Sequence, residues 1–394
     1  GAAAVFSLLL SRSFFDYTTS GLENMMAVLL LAVFSHNALA AARETDSRRS
    51  VDTALLFAGL SLVCRHDLIL LTGPAAVHLL IHSRRPASCK TMVRRLVLLC
   101  LPGILWSSYS VIYYGFLFPN TAYAKLCTGI TRSSLIVQGL SYLAVNLWLD
   151  PLTLLLILGV TGAAVMCRDP VYRRLAAGLA VYLAYLVWIG GDFMLGRFLS
   201  GPFVMAWMMS RKFLDRLIRC HGCRMAGAVA AGIVIAAVPG QPLRTPVDYS
   251  NKEMVHSIAD ERGFYFDTAS LYRYITEPET PFFPVHPGCR AGYMFASDSQ
   301  PLRVETHVGF FGYWSGTRKI IIDRLALTDP LLARLPVISP ESWRAGHFQR
   351  RIPEGYIPSV LTGINMIEDP EIHRLYSAVH RVTAGPLWTR DRWR

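Results

Sequence analysis

Residues 24–42, NMMAVLLLAVFSHNALAAA, decide the class of the fold because they carry no acidic, lysine or arginine side chain. A helix of about 20 apolar residues is long enough to cross the hydrocarbon core of a bilayer. The stretch therefore predicts a membrane-spanning helix. Similar apolar runs, several of them shorter, occupy residues 1–11, 52–64, 67–82, 96–113, 151–167, 174–190, 198–210 and 225–240. The sequence thus predicts about nine spans or partial spans before residue 241.

The C-terminal part of the chain has a different composition. The 394 residues together are 53% hydrophobic and only 17% charged, whereas soluble domains carry roughly 25% charged residues. Nearly all the long apolar runs lie before residue 241, and the Pro-rich stretch VPGQPLRTPVDYSN separates them from the remainder. We predict a membrane all-α multi-span bundle over residues 1–240 and a mixed α/β domain over residues 241–394.

The net charge of +12 indicates membrane orientation. Residues 241–394 are nearly neutral, with 18 basic and 17 acidic side chains, so the excess lies in the membrane part. Of its 21 basic residues, 16 fall in four loops, at residues 43–50, 82–95, 168–174 and 211–224. Basic loops stay on the cytoplasmic side. Alternation then places the loops 11–23, 65–67, 113–150 and 190–198, and the C-terminal domain, outside the cytoplasm, and argues against nucleic acid as the partner.

Two of these outer loops carry polar groups that are costly at a membrane. The segment 16–24, DYTTSGLEN, contains Glu23, which contributes to a site, forms a helix capping box with Ser20, or does both. Arg65 and Asp67 lie between two apolar runs. Charged groups at membrane depth suggest a functional site. The alternative is an ion pair that merely closes a helical hairpin.

Two further outer segments combine aromatic and charged side chains. In the segment 113–125, YYGFLFPNTAYAK, Lys125 follows a run of aromatic residues. An interfacial aromatic belt explains the aromatic residues but not the lysine. In the segment 190–199, GGDFMLGRFL, Asp192 and Arg197 flank glycines and either face a ligand or form a tight turn with a local ion pair. A polar cavity formed by all four segments suits a lipid-linked substrate, with cations on its phosphate and a carboxylate as general base.

The outer domain contains helical and strand patterns. We expect a helix within residues 251–275, a strand, glycine turn and strand over residues 301–324, and a short helix within residues 325–336 begun by Thr328 or Asp329. Its surface either binds a polymeric acceptor or forms a passive cap. The eight cysteines indicate no disulfide framework, and the C-x-x-C at Cys220 and Cys223 has no second pair at zinc-ribbon spacing.

The segments DYTTSGLEN, YYGFLFPNTAYAK and GGDFMLGRFL, the tripeptide Arg65–Asp67, and the blocks HVGFFGYWSG, DRLALTDPLLARLP and GHFQRRIPEGY occur in this order along the chain. Together they resemble membrane glycosyltransferases of the GT-C superfamily, in particular the arabinofuranosyltransferases of mycobacterial cell walls. The resemblance implies a GT-C fold, a polyprenyl-phosphate arabinofuranose donor and an arabinan acceptor outside the cytoplasmic membrane. It also implies a catalytic aspartate in the first outer loop. Because the chain opens at Gly1 within an apolar run, we expect that segment to precede it.

These observations lead to one main hypothesis, transfer of a sugar from a polyprenyl-phosphate donor to a cell-wall glycan at the inner membrane. Asp16 and Glu23 are the catalytic candidates present. The candidates for binding the donor phosphate are Arg65, Lys125 and Arg197, and those for contacting the sugar or acceptor are Asp67, Asn120, Tyr123, Asp192, Tyr313, Trp314 and His347. The partners are the donor, the glycan acceptor and the lipid bilayer, with no nucleic acid. No metal site is assigned, and dependence on a divalent cation is left open.

Two alternatives belong to other classes of protein. One is a transporter or flippase for lipid-linked sugars. Transporters tend to have paired repeats and ionisable residues near the membrane midplane, whereas this chain shows no internal repeat and its polar segments cluster on one side. The other alternative is a non-catalytic membrane scaffold whose outer domain binds glycan.

Overall fold

A computed structural model describes residues 8–43, 48–82, 88–216, 254–277, 284–339 and 343–393. The chain divides into two compact units. The first comprises residues 1–106 and 132–260, and the second comprises residues 107–131 and 261–394. The second unit therefore takes in a segment from the middle of the predicted membrane part. The domain boundary predicted near residue 240 lies outside the described residues and stays a prediction.

The described residues are mostly helical. In chain order the helices are α1 (Arg12–Phe15), α2 (Asn24–Arg43), α3 (Arg48–Cys64), α4 (Leu68–Ile81), α5 (Cys89–Tyr114), α6 (Asn120–Leu126), α7 (Arg132–Leu149), α8 (Pro151–Val165), α9 (Pro170–Ile189), α10 (helical residues 200–216), α11 (Glu261–Ala269), α12 (Leu271–Thr276), α13 (Pro287–Ala296), α14 (Val308–Ser315), α15 (Tyr356–Thr362) and α16 (Pro370–Ala384). The strands are β1 (Leu302–Glu305) and β2 (Ile320–Asp323). Short 3-10 helices occupy Arg197–Leu199, Leu332–Arg334 and Arg390–Trp393.

Two of the described helices, α2 and α5, are long and apolar enough to cross a membrane. Helices α7 and α8 pass the same test as a pair and meet at a bend of 111°, so they add a third span if the pair counts as one. The helix α2 confirms the helix predicted over residues 24–42. The full set of about nine spans stays a prediction, and the run at residues 225–240 lies outside the described residues.

Helix α7 was not predicted from the sequence. Residues 113–150 were expected to form an outer loop, but they contain α6 and the whole of α7. Polar residues interrupt the apolar pattern of α7, so its sequence contains no long apolar run. Asn146 shows how the fold accommodates them, because its buried side-chain amide donates to the carbonyl of Tyr142 one turn earlier.

Close approaches between helices hold the first unit together. A Cβ atom added to Gly178 in α9 would lie 2.1 Å from the carbonyl oxygen of Leu71 in α4. The same construction at Gly139 in α7 gives 2.4 Å to the carbonyl oxygen of Val187 in α9. Small residues let helix backbones approach closely, which is how helices associate where lipid removes most of the hydrophobic driving force. Helix α9 is therefore packed closely against both α4 and α7.

The second unit contains a two-stranded parallel sheet in which Leu302 of β1 lies opposite Ile320 of β2. Strands at both positions confirm the pattern predicted from the sequence, but the predicted connection between them is wrong. Instead of a glycine turn, the residues between the strands contain helix α14. A tight turn joins only antiparallel strands, whereas parallel strands need a longer crossover, usually a helix.

Two other expectations for the second unit need adjustment. The helix expected within residues 251–275 begins only at Glu261 and is interrupted between α11 and α12. In the segment 325–336 only Leu332–Arg334 are helical, as one 3-10 turn. The Asp329 carboxylate accepts from the backbone N–H groups of Leu331 and Leu332, at 3.0 and 2.8 Å. Asp329 thus binds the backbone just before this turn, but the N-cap of the turn is Leu331 rather than Thr328 or Asp329.

The contact between α9 and α4 gives a testable prediction. We expect Gly178→Ala to lower the thermal midpoint of the detergent-solubilised protein, because the new methyl group requires the two helices to separate. Overpacking of this kind typically costs about 1–3 kcal/mol. Gly159→Ala in α8 is the matched control, since a Cβ there meets nothing within 4 Å. Equal midpoints for the two variants would contradict the assigned packing.

Candidate functional site

The connection between α3 and α4 holds a buried ion pair. Arg65 donates from Nε to Oδ1 of Asp67 at 3.1 Å and from Nη2 to Oδ2 at 2.5 Å. From helix α9, the Tyr182 hydroxyl donates to Asp67 Oδ2 at 3.0 Å and accepts from Arg65 Nη2 at 3.2 Å. The ion pair between Arg65 and Asp67, one of the two alternatives from the sequence, is therefore present. The Tyr182 hydroxyl contacts both of its members.

The segment after α9 holds a second ion pair. Helix α9 is capped at its C-terminus by Gly190, whose φ of 87° lies in the left-handed region that favours glycine. Arg197 Nη1 then lies 3.3 Å from Oδ2 of Asp192, and Asp192 Oδ1 accepts from the backbone N–H of Phe193 at 2.9 Å. The tight turn with a local ion pair is thus confirmed.

Glu23 joins the two pairs. Its Oε1 accepts from Nη2 of Arg197 at 3.0 Å and lies 3.6 Å from Nη1 of Arg65. The Phe198 ring lies beside both guanidinium groups, 4.6 Å from that of Arg65 and 5.7 Å from that of Arg197. We call Glu23, Arg65, Asp67, Asp192 and Arg197 the charge cluster. It brings together five of the predicted site residues from three separate segments of the chain.

The capping box expected at Ser20 and Glu23 is wrong. The Ser20 hydroxyl instead donates to the carbonyl of Tyr17 and accepts from the backbone N–H of Leu22. Helix α2 begins only at Asn24. Two guanidinium groups within reach of one carboxylate make stronger, charge-assisted contacts than a single backbone N–H. The Glu23 side chain therefore turns towards Arg197 and Arg65.

The other catalytic candidate, Asp16, belongs to a different ion-pair group. Its Oδ2 lies 3.4 Å from Nε of Arg12, and Arg12 is the first residue of the short helix α1. Arg12 also pairs with Asp260. Burial would lower the pKa of the Arg12 guanidinium, but Asp16 and Asp260 raise it above its ordinary value. Arg12 therefore stays charged, and Asp16 serves first as its partner.

Asn24 also belongs to this site, although it was not predicted from the sequence. Its fully buried side-chain amide donates to the carbonyl of Arg197 at 2.7 Å and to the hydroxyl of Ser200 at 2.8 Å. Asn24 thereby holds the backbone that carries Arg197 next to the backbone that carries Glu23. The sequence does contain a feature that points to Asn24: it directly follows the carboxylate of Glu23 at the start of an apolar helix.

The guanidinium groups keep Glu23 ionised. Burial would raise the pKa of the Glu23 carboxyl, but Arg197, the backbone N–H of Glu23 itself and Arg65 together outweigh that effect and hold the pKa below its ordinary value. Burial would likewise lower the pKa of Arg65, but Tyr182, Asp67 and Glu23 raise it. At neutral pH the cluster therefore contains charged arginines beside an ionised Glu23.

The remaining predicted site residues lie in the second unit. The Asn120 side-chain amide donates to the carbonyls of Ala326, Leu327 and Asp329, at 3.1, 3.2 and 3.1 Å. The Tyr123 ring centroid lies 4.2 Å from the Arg334 guanidinium. Asn120 and Tyr123 thus hold the polypeptide around residues 326–334.

The other four predicted residues of this unit lie on α6, on α14 and in a later loop. Lys125 is in the last turn of α6. Tyr313 and Trp314 are adjacent in α14 with their rings edge to face, and Tyr313 is 81% exposed. His347 donates its backbone N–H to the carbonyl of Arg344. The Tyr313 ring is therefore available at the surface of this unit, whereas the Trp314 ring beside it is half-buried.

A comparison with known proteins finds a curated relative. Over 221 residues the chain is 29% identical to the terminal β-(1→2)-arabinofuranosyltransferase of Mycobacterium tuberculosis (strain ATCC 25618 / H37Rv). This chain is distantly related to that transferase. The match covers 48% of the chain and 34% of the relative, so the chain spans about a third of the length of the protein it matches. No protein-family model and no solved structure matches it.

The charge cluster has the chemical groups for binding an oxyanion. Two planar guanidinium groups converge on one carboxylate oxygen, and guanidinium groups bind carboxylate and phosphate in similar ways. Within the described ranges, no group of three or more His, Cys, Asp or Glu side chains is placed to hold a metal ion. The C-x-x-C at Cys220 and Cys223 lies outside those ranges.

The lowered pKa of Glu23 predicts how the stability of the protein depends on pH. The folded-state pKa lies below the ordinary value of 4.5, so the contribution of Glu23 is fully present above that pH and is lost as pH falls through the folded value. We expect Glu23→Gln to lower the thermal midpoint by about 2 °C near pH 6. The difference from the unmodified protein should shrink on going to about pH 3.

The control for this measurement is Asp215→Asn, because Asp215 forms an exposed pair with Arg211 in the same unit. Exposed pairs contribute little to stability, so this variant should follow the unmodified protein at every pH. A Glu23→Gln difference that stays constant or grows as pH falls would contradict the assigned ion pairs.

Proposed function

We propose that this chain is part of a membrane glycosyltransferase with a GT-C-like multi-span bundle, which transfers a sugar from a polyprenyl-phosphate donor to a glycan. The observation that supports the proposal most directly is the distant relationship to an arabinofuranosyltransferase, which extends over about half of the chain. We take the donor sugar to be arabinofuranose and the acceptor to be a cell-wall glycan. The relationship to a transferase favours an enzyme over a transporter or a scaffold.

Arg65 and Arg197 are the proposed ligands of the donor phosphate. Both converge on one oxygen of Glu23, so the cluster already provides the geometry in which two arginines contact one anion. Such contacts are charge-assisted and are strong where water is largely excluded. Lys125, in the second unit, is proposed as a further phosphate contact on the grounds of the sequence alone.

The carboxylates of the cluster are better suited to positioning than to proton abstraction. A base acts best when its pKa lies near the working pH, and the pKa of Glu23 is lowered by its two arginines. We propose that Asp67 and Asp192 orient the donor or acceptor through its hydroxyl groups. The general base is then a carboxylate outside the cluster. By analogy with GT-C enzymes, it is an aspartate in the first outer loop.

The second unit is proposed to bind the glycan acceptor outside the cytoplasm. The exposed ring of Tyr313 and the neighbouring ring of Trp314 offer flat apolar faces with polar edges, which suit sugar rings. Asn120, Tyr123 and His347 belong to the same unit. The contacts of Asn120 and Tyr123 with residues 326–334 would then support this surface from within the unit.

The phosphate assignment predicts the effect of removing one arginine. We expect Arg197→Ala in the full-length protein to reduce sugar transfer from the polyprenyl-phosphate donor by about 100-fold, since one donor to a developing charge contributes that much. The variant should still enter the membrane fraction. Transfer is measured with radiolabelled donor in isolated membranes.

The control is Arg211→Ala, because Arg211 is largely exposed in the same unit and pairs only weakly with Asp215, at 4.0 Å. This variant should retain transfer. Normal transfer by Arg197→Ala would remove Arg197 from the site, and a loss in both variants would point to an effect on folding.

The proposed orientation is tested by reporter fusions after residues 90 and 245. The basic loop around residue 90 should be cytoplasmic, whereas residue 245 should lie on the outer side, because basic loops stay in the cytoplasm. Fusions to alkaline phosphatase and to a cytoplasmic reporter should therefore give opposite activities at the two positions. The same side at both positions would overturn the topology.

A further inference from the structure

The carboxylate of Glu23 occupies a position that differs from those of the other two acids in the charge cluster. Asp67 pairs with Arg65 and Asp192 pairs with Arg197, so each guanidinium already has one carboxylate of its own. Glu23 is shared between the two guanidiniums, at 3.0 and 3.6 Å from one oxygen. It is therefore the carboxylate that lies where both arginines can contact the same anion.

Burial distinguishes the fixed carboxylates from the exchangeable one. The side chains of Asp67 and Asp192 are 13% and 1% exposed, whereas that of Glu23 is 30% exposed. Asp67 is held further by the Tyr182 hydroxyl. Asp192 accepts from the N–H of Phe193, and Glu23 accepts from its own backbone N–H, a bond local to the residue itself. Removing Glu23 from the arginines would leave its charge near solvent, whereas removing Asp192 would leave a buried charge without its partner.

The backbone around Glu23 allows its side chain to leave without disturbing the rest of the cluster. The Glu23 carbonyl accepts from the N–H of Ala27 at 2.9 Å, and the buried Asn24 is fixed to Arg197 and Ser200. The preceding residues 18–22 are all exposed. A rotation of the Glu23 side chain towards this exposed segment is therefore enough to vacate its position.

Arg197 also has binding capacity that the carboxylates leave unused. Its Nε is buried and has no hydrogen-bond acceptor, although Nη1 and Nη2 both do. A phosphate group carries more acceptor oxygens than a carboxylate and often more charge. It can therefore occupy both arginines more completely than the single Glu23 oxygen does.

We propose that the position between Arg65 and Arg197 is a phosphate-binding site that Glu23 occupies in the ligand-free protein, and that an incoming phosphate group displaces the Glu23 side chain. This inference rests on the proposed function only in taking the phosphate to be that of the lipid-linked donor. Glu23 is thus an internal competitor of the ligand. The sign of its effect on binding is opposite to that of a residue that contacts the ligand.

The test is a phosphate-binding titration of the full chain in detergent. Two probes are used separately, inorganic phosphate and a short-chain prenyl phosphate, and the dissociation constant is read from the shift of the thermal midpoint with ligand concentration. We expect Glu23→Gln to bind the probe about tenfold more tightly than the unmodified protein, a ratio within the range of one charge-assisted contact. Glu23→Ala should show the same direction if Glu23→Gln does not fold.

Matched variants separate the competitor role from a general charge effect. Asp215→Asn removes one negative charge from the same unit at an exposed position and should leave the dissociation constant unchanged. Adding Arg197→Gln to Glu23→Gln should abolish the gain, because one of the two arginines is then missing. Gains by Asp215→Asn equal to those by Glu23→Gln would overturn the proposal.

The two probes identify the source of the phosphate. A gain with both probes assigns the site to the phosphate group itself, and a gain with prenyl phosphate alone assigns it to a lipid-linked phosphate. Unchanged or weaker binding by both Glu23 variants, or no binding of either probe, overturns the inference. Sugar transfer is measured independently: transfer without the gain refutes only this inference, and the gain without transfer refutes only the proposed enzyme.

Discussion

The arrangement of the first unit depends on giving each of the two buried guanidinium groups, those of Arg65 and Arg197, a carboxylate partner. A guanidinium removed from water without a counter-charge is very costly, and an apolar helical environment offers few groups that compensate it. Here Asp67, Asp192 and Glu23 provide the compensation, and the Phe198 ring covers both guanidiniums. The pairs only exist if three connections between helices meet at one place. Electrostatics therefore fixes the ends of the helices, while apolar packing fixes their middles.

Helix packing and the cluster reinforce each other through α9. Gly178 lets α9 approach α4 closely, and Asp67 lies directly before α4. The same helix carries Tyr182, which contacts both members of the first pair, and it leads into the segment with Asp192 and Arg197. A displacement of α9 would thus disturb both ion pairs together. The position of α9 therefore determines both the close contacts at small residues within the helices and the ion pairs at the helix ends.

The features that the sequence predicted well are those with local causes. A charge-free run predicts α2, and apolar runs on either side of Arg65 and Asp67 predict the helices α3 and α4. The residues that form the charge cluster were singled out because charges are unusual between such runs. The meeting of Glu23 with Arg197 could not be read in this way, because it depends on how helices distant in sequence pack. The helix α7 was missed for a related reason, since polar residues such as Asn146 and Ser141 donate to backbone carbonyls one turn earlier in the helix. In the second unit, the strands were visible in their β-branched residues, but their parallel pairing, and hence the helix between them, depends on the fold.

The contact between Glu23 and Arg197 joins residues 174 positions apart. During synthesis, which runs from the N-terminus, α2 to α4 are made long before residue 197 leaves the ribosome. Glu23 and Arg65 are therefore made before the second arginine and its aspartate exist. During that interval their charges have to be hydrated or held by other groups. The cluster is completed only when the segment after α9 arrives, so its last ion pair forms after helices α2 to α9 have been made and before α10 of the same unit follows.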